Sequence, residues 1–118
     1  MSPYDDGEGR AREGAGVSAT TAQRRVQVRN PMGMHARPAG RFVELARTFD
    51  ARVRVRCRGE EVDGGSILSL LMLEATSGTE LELVAQGNDA VAAVDALAAL
   101  VASGFDEAQS YDGRGARG

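Results

Sequence analysis

The chain has 118 residues, a formal net charge of −3 and only 4% aromatic residues, which allows one small globular domain and leaves no room for two. Its one His, His35, and its one Cys, Cys57, exclude a Cys/His zinc cluster and an intrachain disulfide, and no metal or other cofactor is expected. The acidic balance argues against nucleic acid as a partner, and no apolar run approaches the roughly 20 residues that span a bilayer, so a cytoplasmic chain with no membrane insertion is expected.

Residues 1–23 are rich in Gly, Asp, Glu, Arg, Ser and Thr and hold almost nothing to bury. They cannot offset the entropy of becoming ordered, so they are expected to form a disordered tail, as is the segment 108–118. The domain is therefore placed at 24–107. Within it charge is divided: ten Arg face two acids between Arg24 and Arg58, a balance of +8, and eight acids with no Arg follow between Gly59 and Phe105, a balance of −8. The two halves are expected to pair inside one fold.

Arg25 to Arg29 alternates polar and apolar and predicts a strand with Val26 and Val28 inward. Asn30-Pro-Met-Gly33 is a loop by its Pro and Gly. From Pro38 the apolar residues Ala39, Phe42, Val43, Ala46 and Phe49 recur at three and four, which predicts an amphipathic helix. Arg52 to Arg58 alternates again, with Val53, Val55 and Cys57 inward and the arginines on a solvated face, and a short strand follows around Glu61-Val62-Asp63. Ser66 is suited to cap a short apolar helix over 67–74. Thr79 to Ala85 alternates with Leu81, Leu83 and Ala85 on one face and Glu80 and Glu82 on the other. Asn88-Asp89 then opens a helix with Val91, Val94, Ala98 and Val101 in one stripe. The order βαββαβα with half-polar strands predicts an α+β open-faced β-sandwich: a four-stranded antiparallel sheet with three helices on one face. If the last strand lies between the first and second, Glu80 and Glu82 meet the arginines.

Chemistry concentrates in Gly33-Met34-His35-Ala36-Arg37-Pro38-Ala39, where loop becomes helix. Pro38 is tolerated in a first turn, so His35 is expected at or just before the helix N-terminus. The unpaired amides and the macrodipole there favour an anion such as a phosphoryl group, to which Arg37 can add a forked guanidinium. The same dipole is expected to keep His35 neutral and nucleophilic. A plain surface cap remains an equal alternative from these residues alone, and a hydrolase base finds no support, because no G-x-S-x-G elbow is present.

Together with Ser66-Ile-Leu-Ser-Leu-Leu71 and Gly104-Phe-Asp-Glu107, this motif resembles the HPr phosphocarriers of the bacterial phosphoenolpyruvate-dependent phosphotransferase system, over about 24–107. Met32, Phe49-Asp-Ala51 and Leu70-Leu-Met-Leu-Glu74 are most similar to the nitrogen-related branch, NPr. The resemblance implies a carrier and not an enzyme in its own right. His35 would take a phosphoryl group on Nδ1 from Enzyme I and pass it to a histidine of an enzyme IIA, with Arg37 steadying the group and Gly33, Ala36 and Pro38 shaping its cradle. It also implies Ser66 as a target for HPr kinase/phosphorylase and a docking face of Ile67, Leu68 and Leu71 with Arg41 and Arg47, while Leu70 and Leu73 point inward. A monomer in a regulatory phosphorelay is expected, with sugar transport or a docking module controlled through Ser66 as alternatives.

Overall fold

The computed structural model describes residues 20–106, so nearly all of the expected N-terminal tail and all of the C-terminal one lie outside the described residues. The elements run β1 (Thr20–Gln27), α1 (Ala36–Ala46), β2 (Arg52–Cys57), β3 (Glu60–Asp63), α2 (Ile67–Met72), β4 (Glu80–Gly87) and α3 (Ala90–Ala102), closed by a 3-10 turn over Gly104–Asp106. The strands form one antiparallel sheet in the order β1-β4-β2-β3. This is the open-faced βαββαβα sandwich expected from the pattern.

Alternation explains the layers. Val53, Val55 and Cys57 of β2 and Leu81, Leu83 and Ala85 of β4 are buried under the helices. Their neighbours Arg54, Arg56, Glu82 and Val84 are turned toward the other face. Phe42 of α1, Leu70 of α2, Leu97 and Val101 of α3, and Phe105 of the closing turn complete the core. Burying each such side chain contributes about 1.5–3 kcal/mol against the loss of chain entropy.

The central position of β4 places Glu82 opposite Arg25 on one side and Arg56 on the other. Arg56 reaches Glu82 at 3.5 Å and Glu61 of β3 at 2.9 Å, and Arg54 pairs with Glu61 at 2.5 Å. The hydrogen bond from Arg56 holds the Glu61 carboxyl below the usual carboxylate range, against a smaller opposing effect of desolvation. Glu82 therefore makes the contact expected of the pair; Glu80 makes no ion pair among the described residues.

Four expectations are corrected. β1 starts at Thr20, so Thr20–Gln23, assigned to the tail, form a strand against Val84–Gly87. This edge strand is held by backbone pairing, and few of its side chains are covered, so composition gives no sign of it. On its helix side Arg24 pairs with Asp95 of α3. Phe49 lies beyond α1, in the following turn, though it still packs against the core. α2 stops at Met72, since Glu74 adopts φ 51° and Arg58 donates to the Leu73 carbonyl at 2.6 Å. In α3, Ala90 and Ala93 face inward while Val91 is 55% exposed, because a helix apolar on nearly every side offers no contrast from which to read its buried face.

Ser66 is the N-cap of α2, its Oγ accepting from the Ser69 amide at 3.2 Å. A six-residue helix has little stability of its own. Ser66→Ala is expected to lower the unfolding free energy by about 1 kcal/mol in urea denaturation; no measurable change would show that packing alone holds α2.

Candidate functional site

The segment joining β1 to α1 is fastened to the segment joining α2 to β4. The Val28 amide donates to the Thr79 carbonyl at 2.9 Å and the Gly78 amide to the Val28 carbonyl at 2.7 Å. Beyond this, Asn30 to Gly33 makes a tight turn, the Gly33 amide donating to the Asn30 carbonyl at 3.0 Å. Asn30 is fully buried, and its side-chain Nδ2 donates to the Gly33 carbonyl at 2.7 Å. The Met34 amide then donates to the Ala75 carbonyl at 2.8 Å, and the Met34 side chain is buried.

Gly33 is required where it stands. Its φ is +73°, and a Cβ there would lie 2.5 Å from the Ala75 oxygen and 2.9 Å from the Thr76 Cα. Only a residue without a side chain lets the two segments approach this closely.

His35 follows as the N-cap of α1, with extended backbone (φ −117°, ψ −170°) and no capping hydrogen bond from its side chain. Its carbonyl accepts the first helical bond, from Ala39 at 3.0 Å. The amides of Ala36 and Arg37 consequently have no partner within the helix, and Pro38 has none to offer. No acidic side chain occupies the first turn, so the positive end of the helix is not neutralised locally. His35 is half-buried, Ala36 and Arg37 are exposed, and the Arg37 guanidinium has no ion pair among the described residues. Imidazole, two open amides and a cation thus occupy three consecutive residues that follow a hydrogen-bonded turn.

α2 packs beside α1, and the segment that follows it holds the turn before His35. Leu70 and Leu73 are buried, Leu71 is half-buried, and Ile67, Leu68 and Met72 are 43%, 69% and 69% exposed. Met32, in the turn before His35, is 64% exposed. The exposure of Met32 and Met72 was not expected, because nothing in the pattern separates them from core methionines. The two other arginines assigned to docking are placed differently. Arg41 donates to the Phe105 carbonyl at 3.2 Å and lies 3.9 Å from Asp106, tying α1 to the closing turn. Arg47 is the C-cap of α1, at the opposite end from His35 and about 18 Å away along the axis.

Two surface clefts, one of about 350 Å³ lined by Arg25, Arg56 and Glu82 and one of about 430 Å³ lined by Arg47, Phe49 and Arg52, do not include His35. Among the described residues no group of three or more His, Cys, Asp or Glu is arranged to hold a metal, and Cys57 is a buried free thiol. None of the described helices is long and apolar enough to cross a membrane.

Residues 22–103 match the family described as PTS HPr component phosphorylation site. The phosphocarrier protein NPr of Proteus mirabilis (strain HI4320) is 42% identical over 88 residues, covering 74% of this chain and 98% of that protein. The phosphocarrier protein HPr of Cupriavidus necator is 37% identical over 87 residues, with 74% and 98% covered. Among solved structures, a phosphocarrier protein HPr from Bacillus anthracis superposes with a TM-score of 0.66 at 37% identity, covering 69% of this chain and 96% of that one.

Proposed function

The chain belongs to the HPr family of phosphocarriers, and from that premise we propose that it accepts a phosphoryl group on His35 from phosphorylated Enzyme I and delivers it to a histidine of an enzyme IIA component. The observation that carries this reading is the arrangement at the start of α1: an imidazole at the N-cap that does not cap the helix, open amides at Ala36 and Arg37, and an exposed guanidinium two residues on. In the accepting step the lone pair of His35 Nδ1 forms a bond to phosphorus while the bond between phosphorus and the donor breaks, its electrons leaving with the donor. The negative oxygens are met by the two amides and by Arg37. In the delivering step the new P–N bond breaks in favour of the acceptor imidazole, and His35 is regenerated. The chain is thus a substrate of its partners and turns over only with them.

Exposed Met32 in the turn before His35, exposed Ile67 and Leu68 at the start of α2, and half-buried Leu71 would offer partners an apolar surface, to which exposed Arg37 adds positive charge. Methionine is flexible enough to repack against two different partners in turn. Identity to an NPr exceeds identity to an HPr, 42% against 37%, and favours a regulatory nitrogen-type relay in the cytoplasm over sugar uptake. A second role is favoured by the position of Ser66, half-buried at the N-cap and adjacent to exposed Ile67 and Leu68. A phosphoryl group put on its Oγ by an HPr kinase would bring a dianion to the docking face and oppose Enzyme I.

The direct test is intact mass and phosphorus NMR of the chain incubated with phosphoenolpyruvate and Enzyme I of either type. One added, acid-labile and alkali-stable phosphoryl group is expected, gained faster from the nitrogen-type enzyme. No uptake from either type would overturn the carrier reading, and faster uptake from the sugar type would overturn the assignment to a branch.

Arg37→Ala is expected to slow transfer by about tenfold to a hundredfold. Because the side chain is exposed, stability should stay within about 0.5 kcal/mol of the parent. A large loss of stability with transfer intact would reassign Arg37 to the fold.

A further inference from the structure

We propose that Asn30 is a positioning residue for transfer at His35, acting by immobilising the peptide plane between Gly33 and Met34. This rests on the reading of His35 as the phosphoryl acceptor. Both polar groups of that peptide are held: its carbonyl accepts from Asn30 Nδ2 at 2.7 Å, and its amide donates to the Ala75 carbonyl at 2.8 Å. The plane is therefore fixed from two sides, by the buried Asn30 on one and by the segment after α2 on the other. His35 begins one residue later, so the direction in which its Cα presents the imidazole is set by a peptide that cannot rotate without breaking two hydrogen bonds.

The residue type is specific to the task. Asn30 is the only buried polar side chain among the described residues, and a buried polar group is retained only where its hydrogen bonds compensate its loss of water. The Gly33 carbonyl needs a donor. Asparagine supplies an uncharged one, whereas aspartate would bring a charge and no donor, and alanine would leave the carbonyl without a partner. The turn's own bond, from the Gly33 amide to the Asn30 carbonyl at 3.0 Å, brings the ends of Asn30-Pro31-Met32-Gly33 together but leaves the 33–34 plane free to tilt. The side chain removes that freedom. Reactions of bound groups are sensitive to this kind of placement, a shift of about 1 Å costing up to about a hundredfold in rate.

The experiment uses the full chain, phosphoenolpyruvate and Enzyme I, with Asn30→Ala and Asn30→Asp compared with the parent. For Asn30→Ala the expected result is a loss of at least about tenfold in kcat for phosphoryl uptake per folded molecule, an unchanged KM for Enzyme I, and faster hydrogen exchange at the Met34 amide. For Asn30→Asp the ratio of its rate to the parent's should rise as pH falls, because the protonated carboxyl regains an O–H donor for the Gly33 carbonyl. If Asn30→Ala fails to fold, the pH-dependent ratio of Asn30→Asp carries the test. Lowered stability with parental kcat per folded molecule, or a rate ratio that stays flat with pH, would overturn the positioning role. A parent chain that takes up no phosphoryl group would instead overturn the carrier reading on which it rests.

Discussion

Replacing His35 with alanine is expected to abolish phosphoryl uptake completely while leaving the fold in place. No other side chain at the site is a nitrogen nucleophile: Arg37 is a permanent cation and Ala36 and Pro38 carry no reactive group. The residual rate should equal that of a blank, so the effect is bounded only by the detection limit. Stability should barely change. His35 is half-buried, its side chain gives α1 no cap, and alanine can adopt the same extended backbone. A loss of less than about 1 kcal/mol in urea denaturation is expected. Undiminished phosphorylation in this variant would place the acceptor elsewhere and leave Ser66 with its neighbouring apolar surface as the functional centre. The variant also separates the two roles proposed here, since a docking function controlled through Ser66 should survive it.

Gly33→Ala is expected to be the most damaging single methyl group in the described residues around the site. Two costs combine. Alanine at φ +73° gives up about 1–2 kcal/mol for the left-handed backbone, and its Cβ would meet the Ala75 oxygen at 2.5 Å, an overpacking worth about 1–3 kcal/mol. The sum, about 2–5 kcal/mol, is a large share of the stability of a domain this small. Thermal denaturation should show a fall of roughly 10 °C or more. The contact cannot be relieved locally. The oxygen involved is the one to which the Met34 amide donates, so any backbone movement that makes room for the methyl group also stretches the bond that precedes His35. Transfer per folded molecule should therefore drop along with stability. A change of less than about two degrees, with transfer intact, would mean that the two segments separate more easily than their hydrogen bonds imply.

What could be read from residues alone was what has a period or a local signature. The alternation in Arg52 to Arg58 and around Leu81 and Leu83 located two strands and their buried faces, because a sheet wet on one side writes its polarity into every second residue. Ser66 before an apolar run, and Pro38 just inside a helix, located two helix starts. What escaped depends on distant partners. Thr20 to Gln23 are a strand because the backbone of β4 is there to receive them. Asn30 gives no hint in sequence that it is buried, since a turn asparagine is ordinarily at the surface, and only the approach of the segment at Ala75 encloses it. Arg41 and Arg47 carry the charge expected of docking residues, but their destinations are decided by the closing turn and by the length of α1.

The strand order has a consequence for biosynthesis. Among the described residues β1 is the first strand to be made, yet its sole sheet neighbour is β4, the last. While the ribosome is still translating α1, β2, β3 and α2, the first strand has no native backbone partner, and the pairing of Gln27 with Glu80 must wait until nearly the whole domain has been synthesised. The hairpin of β2 and β3 is local and can form early, whereas the closure by β1 is a long loop whose entropy is lost in one late step. Because Val28, directly after β1, is tied to Thr79 and Gly78 next to β4, the histidine loop is among the last parts to acquire its shape, and a nascent chain has a site only once it has a sheet.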